Sequence, residues 1–224
     1  MNRLDVIKAL MRQKKLRNYL EIGVENGHIF FRIKSAFKIA VDPKFIFDIT
    51  RRFGKVIINP YNINNQYFEK TSDEFFERDA QQAFSARKIQ LALIDGMHEY
   101  RFALRDVENT LRYMEDDGVI IMHDCNPQTV GAAGRFEDWE TGEWNGDVWR
   151  TIIHLRSQRP DLNVFVLDCD QGLGIVTRQK PESVLDFTPS QIDALTYDEL
   201  VLNRKKWLNL KPEAYFYDHF GLSK

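Results

Sequence analysis

Two short stretches carry residue types that can move a proton or hold a cation. In "LIDGMHEY" (93–100), Asp95 is followed three places later by His98, and in "IIMHDCNP" (120–127), His123 stands beside Asp124. Each follows an apolar run, so each set lies where a buried strand gives way to a loop. Histidine titrates near neutrality and suits proton removal. His98 is the candidate general base and His123 its rival, although a histidine within an apolar strand also serves as sheet packing. Asp95 and Asp124, as paired carboxylates, could bind Mg²⁺ or another divalent cation and lower the pKa of a hydroxyl held on it. Asn126 is a further candidate oxygen ligand, whereas the intervening Cys125 is a poor partner for Mg²⁺. Without a cation, the same carboxylates would hydrogen-bond a ligand or orient a histidine.

A third stretch, "YLEIGVENGH" (19–28), begins as a strand and breaks at Gly23 and Gly27, with Glu21 and Glu25 close by. It lacks the terminal Lys-Ser/Thr of a phosphate-binding P-loop and the third glycine of a dinucleotide fingerprint. Glu25 would repel a pyrophosphate. Glycines let backbone approach a ligand closely, and acidic neighbours suit a cationic one. Asp42 ends the next apolar run, where a carboxylate can accept both hydroxyls of a ribose. In "KTSDEFF" (70–76), Ser72 and Asp73 either contact a ligand or start a helix, with Ser72 as N-cap. Trp139, Trp144 and Trp149 in "GRFEDWETGEWNGDVW" offer flat apolar faces for a sugar ring or the core of a lid. Arg101 and Arg105 are expected to pair with Glu99 and Glu108 rather than to bind substrate.

The elements that must place these residues alternate in type. Leu4, Ile7, Leu10 and Met11 mark one face of a leading helix within residues 1–16. Strands are expected at 19–24, 38–41, 67–70, 89–96 and 118–124, with a helix beginning at 28–33, one through 73–84 and one from 100 to 114. Residues 44–58 are ambiguous, 59–66 read as loop, and 125–146 as an insertion or lid. A helix at 147–157 precedes two strands at 163–178 that turn at Gln171-Gly172. The tail, 189–224, is helical, with one amphipathic helix over 189–210. This pattern predicts one α/β domain over 1–224, a doubly wound, Rossmann-like and mostly parallel sheet with a C-terminal antiparallel edge hairpin and helices on both faces.

The spacing Glu21-x-Gly23-x-x-x-Gly27 resembles motif I of class I S-adenosylmethionine-dependent methyltransferases. "YLEIGVENG", "IAVDP", "SDEFF", "WNGDVWR" and the long run 91–127 with "IDG-x-H" and "HD" are together similar to the branch that includes sugar, macrolide and catechol-type O-methyltransferases. The resemblance spans roughly residues 17–178. It implies S-adenosyl-L-methionine as cofactor, held by Glu21, Gly23, Gly27, Asp42, Ser72, Asp73 and Asp95. It implies methyl transfer to oxygen, on a sugar or another small metabolite, with His98, Asp95 and Asp124 at the reacting centre, and His123, Trp139 and Trp144 on the acceptor side. In catechol-type enzymes a lysine holds the place of His98, and an asparagine often follows the second aspartate directly; here Cys125 does. The alternatives are a cofactor-binding protein of the same fold without turnover, and a nicotinamide-dependent oxidoreductase, which the broken glycine fingerprint opposes.

Bulk properties agree with a small-molecule partner. A net charge of −2 over 224 residues gives no basic field for nucleic acid. No apolar run reaches the roughly 18 residues of a membrane span. The N-terminus is a charged amphipathic pattern rather than a signal peptide, and two cysteines without metal or redox spacing suit a reducing cytoplasm. A homodimer through the N-terminal helix or the tail is compatible with the pattern.

Overall fold

A computed structural model describes residues 1–134, 136–139 and 142–223. By contact the chain divides into two compact units, residues 2–96 with 105–118, and residue 1 with 97–104 and 119–224. The first unit holds α1 (Arg3–Gln13), β1 (Asn18–Ile22), β2 (Phe37–Asp42), α2 (Ile49–Ile58), β3 (Asn65–Glu69), α3 (Ser72–Arg78), α4 (Ala80–Ala83) and β4 (Ile89–Ile94). Its strands lie in the order β3-β2-β1-β4, all parallel, with Leu20 opposite both Ile39 and Ala92. Strands buried on both faces read as near-continuous apolar runs, and every residue of β2 is buried. α1 buries Val6, Ile7 and Leu10 completely.

α5 (Tyr100–Arg112) and β5 (Met114–Met122) run through the boundary. The second unit continues with α6 (Trp149–Gln158), β6 (Asn163–Leu167), β7 (Leu173–Thr177), α7 (Pro189–Ala194), α8 (Tyr197–Trp207), β8 (Leu210–Lys211) and α9 (Glu213–Phe220). β7 is antiparallel to both β5 and β6, and the two-residue β8 extends β6 in parallel. The protein is α/β, with parallel strands joined through helices and an antiparallel pair near its C-terminal end. Among the described residues no helix is long and apolar enough to cross a membrane.

Three local expectations change. The helix expected at 28–33 is only one 3-10 turn, Phe30–Arg32. Side chains satisfy its carbonyls: Lys38 Nζ donates to those of Phe30 and Ile33, and Asn59 and Asn62 to that of Phe31, while the Ile33 N–H closes the single turn on Phe30. The ambiguous 44–58 holds a true helix, α2, capped by Asp48. The tail helix starts on a capping box of Thr188 and Gln191 and is broken in two because Thr196 begins a second, with Glu199 three residues on.

Candidate functional site

In the first unit, the chain passes from β3 across to β4 on the far side of β1, so β1 and β4 form the switch point at which open α/β sheets bind ligands. The Gly23 N–H donates to the Val41 carbonyl at 3.0 Å, and the Asp95 N–H to that of Ile22 at 2.9 Å. Gly23 has φ +80°, and a Cβ there would lie 1.9 Å from the Asp95 carbonyl oxygen. No other residue fits so close to a neighbouring strand end. Gly27, at φ +73°, turns the chain against the ring of Phe31.

Asp42 latches this loop. One carboxylate oxygen accepts from the N–H groups of Val24 and Glu25, and the other from that of Lys44, each at 2.8 Å. The Ile46 N–H donates to the Glu25 carbonyl at 2.9 Å, tying the segment after β2 to the same loop. Glu21 is buried and accepts from the Tyr19 hydroxyl at 2.6 Å, since alternate residues of β1 share a face. Burial pushes its carboxyl up to about 8, against the Tyr19 hydrogen bond. Asp95 Oδ2 lies 3.3 Å from Arg3 Nε.

Ser72 is not the helix cap. Thr71 is, in a capping box with Glu74. Ser72 instead hydrogen-bonds Asp106, whose carboxyl burial raises to about 7. Asp73 receives two hydrogen bonds from Arg105, at 3.1 and 2.8 Å, and Arg101 pairs with Asp193. Both arginines thus reach aspartates remote in sequence. The buried Lys38 was not singled out by sequence. Its ammonium reaches two carbonyls and Asn62, and burial lowers its pKa to about 7. An isolated lysine in a strand gives no local sign of such partners.

In the second unit, Asp124 follows β5 with φ +62°, an uncommon conformation for a side-chain-bearing residue. It is 3 % exposed and gathers three side chains. His98 Nε2 lies 3.3 Å from Oδ2, His123 Nδ1 2.9 Å from the same oxygen, and Asn145 donates to Oδ1 at 2.6 Å. The other nitrogen of His98 lies 2.8 Å from the Trp144 carbonyl, and its ring stacks on the Trp144 indole at 5.1 Å. Gly146, at φ +59°, lets the chain pass where a Cβ would stand 1.6 Å from the His98 carbonyl oxygen. "WNGD" therefore shapes the histidine's surroundings, and Asn145 and Gly146 are the site residues that sequence reasoning left unassigned.

A carbonyl oxygen only accepts, so His98 Nδ1 carries a hydrogen, and in the neutral ring Nε2 keeps its lone pair. That lone pair and an Asp124 oxygen then face one another, an arrangement stabilised by a proton or a cation between them. Asn126 is turned to other work: it donates to Asp168 at 3.0 Å, and its oxygen accepts from Arg204. His123 does not sit in apolar packing alone, since its second nitrogen lies 3.7 Å from Asp170. Trp144 donates to the Gly134 carbonyl, and Trp139 stacks on Phe136. Trp149 is 1 % exposed and cannot offer a face to a sugar.

A family model described as a methyltransferase domain matches residues 20–125. This stretch takes in Asp42, His98 and Asp124 and stops just before the tryptophan-rich segment. Solved structures share the fold. An O-methyltransferase from Bacillus cereus in complex with S-adenosylhomocysteine is 13 % identical, with a TM-score of 0.54 over 77 % of this chain and 78 % of that one. A protein from Klebsiella pneumoniae described as an O-methyltransferase is 14 % identical, with a TM-score of 0.57 over 79 % of each chain. One from Staphylococcus aureus described as a caffeoyl-CoA O-methyltransferase is 16 % identical, with a TM-score of 0.53 over 79 % of this chain and 82 % of that one. No curated protein matches the sequence. Family and fold together support S-adenosylmethionine-dependent methyl transfer.

The chemistry of the first unit's loop fits that cofactor. Its strand ends present carboxylates and backbone rather than a phosphate cradle, and the cofactor carries an ammonium and a sulfonium but no phosphate.

Proposed function

We propose that the protein methylates a hydroxyl of a sugar or glycosylated small metabolite, with S-adenosylmethionine as donor and His98 as general base. The observation that carries this reading is the setting of His98. The Trp144 carbonyl fixes the hydrogen on Nδ1, so Nε2 is the basic nitrogen, and Asp124 stands 3.3 Å away to stabilise the imidazolium formed. Transfer from a sulfonium is an in-line displacement. The acceptor oxygen attacks the methyl carbon, the carbon–sulfur bond breaks, and the hydroxyl proton passes to Nε2. Base assistance contributes about 10²–10⁴-fold, and alignment supplies the rest of the chain's part. Asp42, with Gly23 and Gly27, holds the cofactor loop. Glu21, Ser72, Asp73 and Asp95 enter only by position at the strand ends, and His123, Trp139 and Trp144 line the acceptor side in this reading.

A divalent cation is the second reading, favoured by the same pair of atoms. A metal-ligating histidine commonly donates its other N–H to a carbonyl, as His98 does to Trp144. His98 and Asp124 would hold the ion. When bound it would acidify the acceptor hydroxyl. Asn126, engaged by Arg204, takes no part.

The test is transfer of labelled methyl to a panel of glycosides and phenols, with and without Mg²⁺ or chelator. Wild type should label an acceptor, and His98→Gln should lose at least about 100-fold while still binding S-adenosylhomocysteine. Abolition by chelator favours the cation. Cofactor binding without transfer to any acceptor would favour a binding protein of the same fold, and transfer undiminished in His98→Gln would remove the base.

A further inference from the structure

α1 carries a charge on its buried face. Val6, Ile7 and Leu10 follow Arg3 at three, four and seven residues, the spacing of one helix face, and all three are fully buried. Arg3 is also the first residue of the helix, where a cation opposes the helix dipole. Asn2 and Asp5 fix that turn in a capping box, each side chain accepting the other's backbone N–H. A cation held on an apolar face, at the end where the dipole disfavours it, needs an acid beside it. Asp95 is one, with Oδ2 3.3 Å from Arg3 Nε.

The pair lies at the switch point of the first unit, since the Asp95 N–H bonds the Ile22 carbonyl and the Asp95 carbonyl crowds Gly23. The charge of Arg3 reaches both ends of the glycine loop. At Tyr19, on β1, burial and Glu21 raise the pKa of the hydroxyl and Arg3 works against them. At His28, just past Gly27, burial, then Arg32 and Arg3, hold the ring below its ordinary value.

We infer that Arg3 binds the α-carboxylate of the cofactor's methionine moiety, which makes α1 part of the cofactor site. The inference rests on the S-adenosylmethionine reading above. An α-amino acid carries an ammonium and a carboxylate on one carbon, and the Asp95–Arg3 pair offers the opposite charges side by side. Asp95 suits the ammonium and Arg3 the carboxylate, which Glu25 and Asp42 in the same loop would repel. A guanidinium has five N–H donors and grips a carboxylate through two of them, so Arg3 can serve Asp95 and the ligand together. Side-chain exposures of 27 % for Arg3 and 15 % for Asp95 leave both within reach of a ligand. A partly exposed ion pair adds little to stability on its own, so admitting a zwitterion between the two charges is cheap.

The test is calorimetric titration of the full chain with S-adenosylhomocysteine and with its decarboxylated analogue, S-adenosyl-3-thiopropylamine, which keeps the amine. The proteins are wild type, Arg3→Gln, Arg3→Lys and Lys8→Gln, the last at an exposed position of the same helix. Wild type and Lys8→Gln should bind S-adenosylhomocysteine alike. Arg3→Gln should weaken it about 10–100-fold, the worth of a charge-assisted contact, and Arg3→Lys, which keeps the charge without the fork, by less. Both Arg3 variants should bind the decarboxylated analogue about as tightly as wild type does. Equal losses for the two ligands, or undiminished binding of S-adenosylhomocysteine by Arg3→Gln, would overturn the assignment and leave the cofactor reading standing. A wild type that binds neither ligand would overturn the cofactor reading and the assignment with it.

Discussion

Removal of the Asp42 carboxylate should loosen the cofactor loop before any cofactor is added. The carboxylate accepts three backbone N–H groups at 2.8 Å, two from the loop and one from the segment after β2, and the residue is 8 % exposed. A hydrogen bond to a charged group contributes roughly 1.5–3 kcal/mol net. Three bonds sharing one carboxylate at a solvent-facing loop fall well short of additive. Asp42→Ala should therefore cost about 3 kcal/mol, or about 6–12 °C in melting temperature for a chain of this size. Asp42→Asn offers no rescue in either orientation, because one side of its amide then presents N–H to N–H; a loss of about 2 kcal/mol is expected. Thermal melts without ligand, followed by calorimetric titration with S-adenosylhomocysteine, separate the latch from cofactor binding. Both variants should melt early, and Asp42→Ala should lose binding. An Asp42→Ala variant that melts within about 2 °C of wild type would refute the latch, whatever it did to binding.

Further expectations follow from the same contacts. Gly23→Ala adds a Cβ 1.9 Å from the Asp95 carbonyl oxygen at φ +80°; it should cost more than about 4 kcal/mol, and a near-normal denaturant midpoint would show that the β1–β4 junction yields. Glu21 in the folded chain keeps its proton up to about pH 8, against an ordinary carboxyl value of 4.5. The folded state thus binds the extra proton between those values, and Glu21 costs stability increasingly as pH rises through that window. Glu21→Gln should gain on wild type between about pH 5 and about pH 8.5 in urea midpoints, whereas a constant difference would place the carboxyl in water. Trp149→Ala should lose about 3–5 kcal/mol as a core truncation. A variant of normal stability with raised KM for an acceptor would restore Trp149 to the site.

What could be read from sequence was what depends on neighbours along the chain. Apolar runs with glycine breaks gave the parallel strands and the Gly23 turn, because a residue's own conformational limits decide those features. The Thr196-x-x-Glu199 box was equally legible and alone breaks the tail helix. What could not be read depends on partners far along the chain. His98 is defined by a carbonyl 46 residues later, and Asn126 by an arginine 78 residues later. Lys38 sits in an apolar strand only because two carbonyls and Asn62 receive its ammonium. The segment expected as a helix at 28–33 likewise gives the Phe30 and Ile33 carbonyls to that lysine, a contact made across eight and five residues. The carboxylates show the limit most clearly. Asp42, Asp73 and Asp124 are chemically alike in sequence, yet one accepts three backbone amides, one an exposed guanidinium, and one accepts a side-chain amide and stands against two histidines. Only the last arrangement pairs a carboxylate with a ring nitrogen whose proton state a third group fixes. That pairing is why the acceptor chemistry is assigned to His98 and Asp124 rather than to the other strand-end acids.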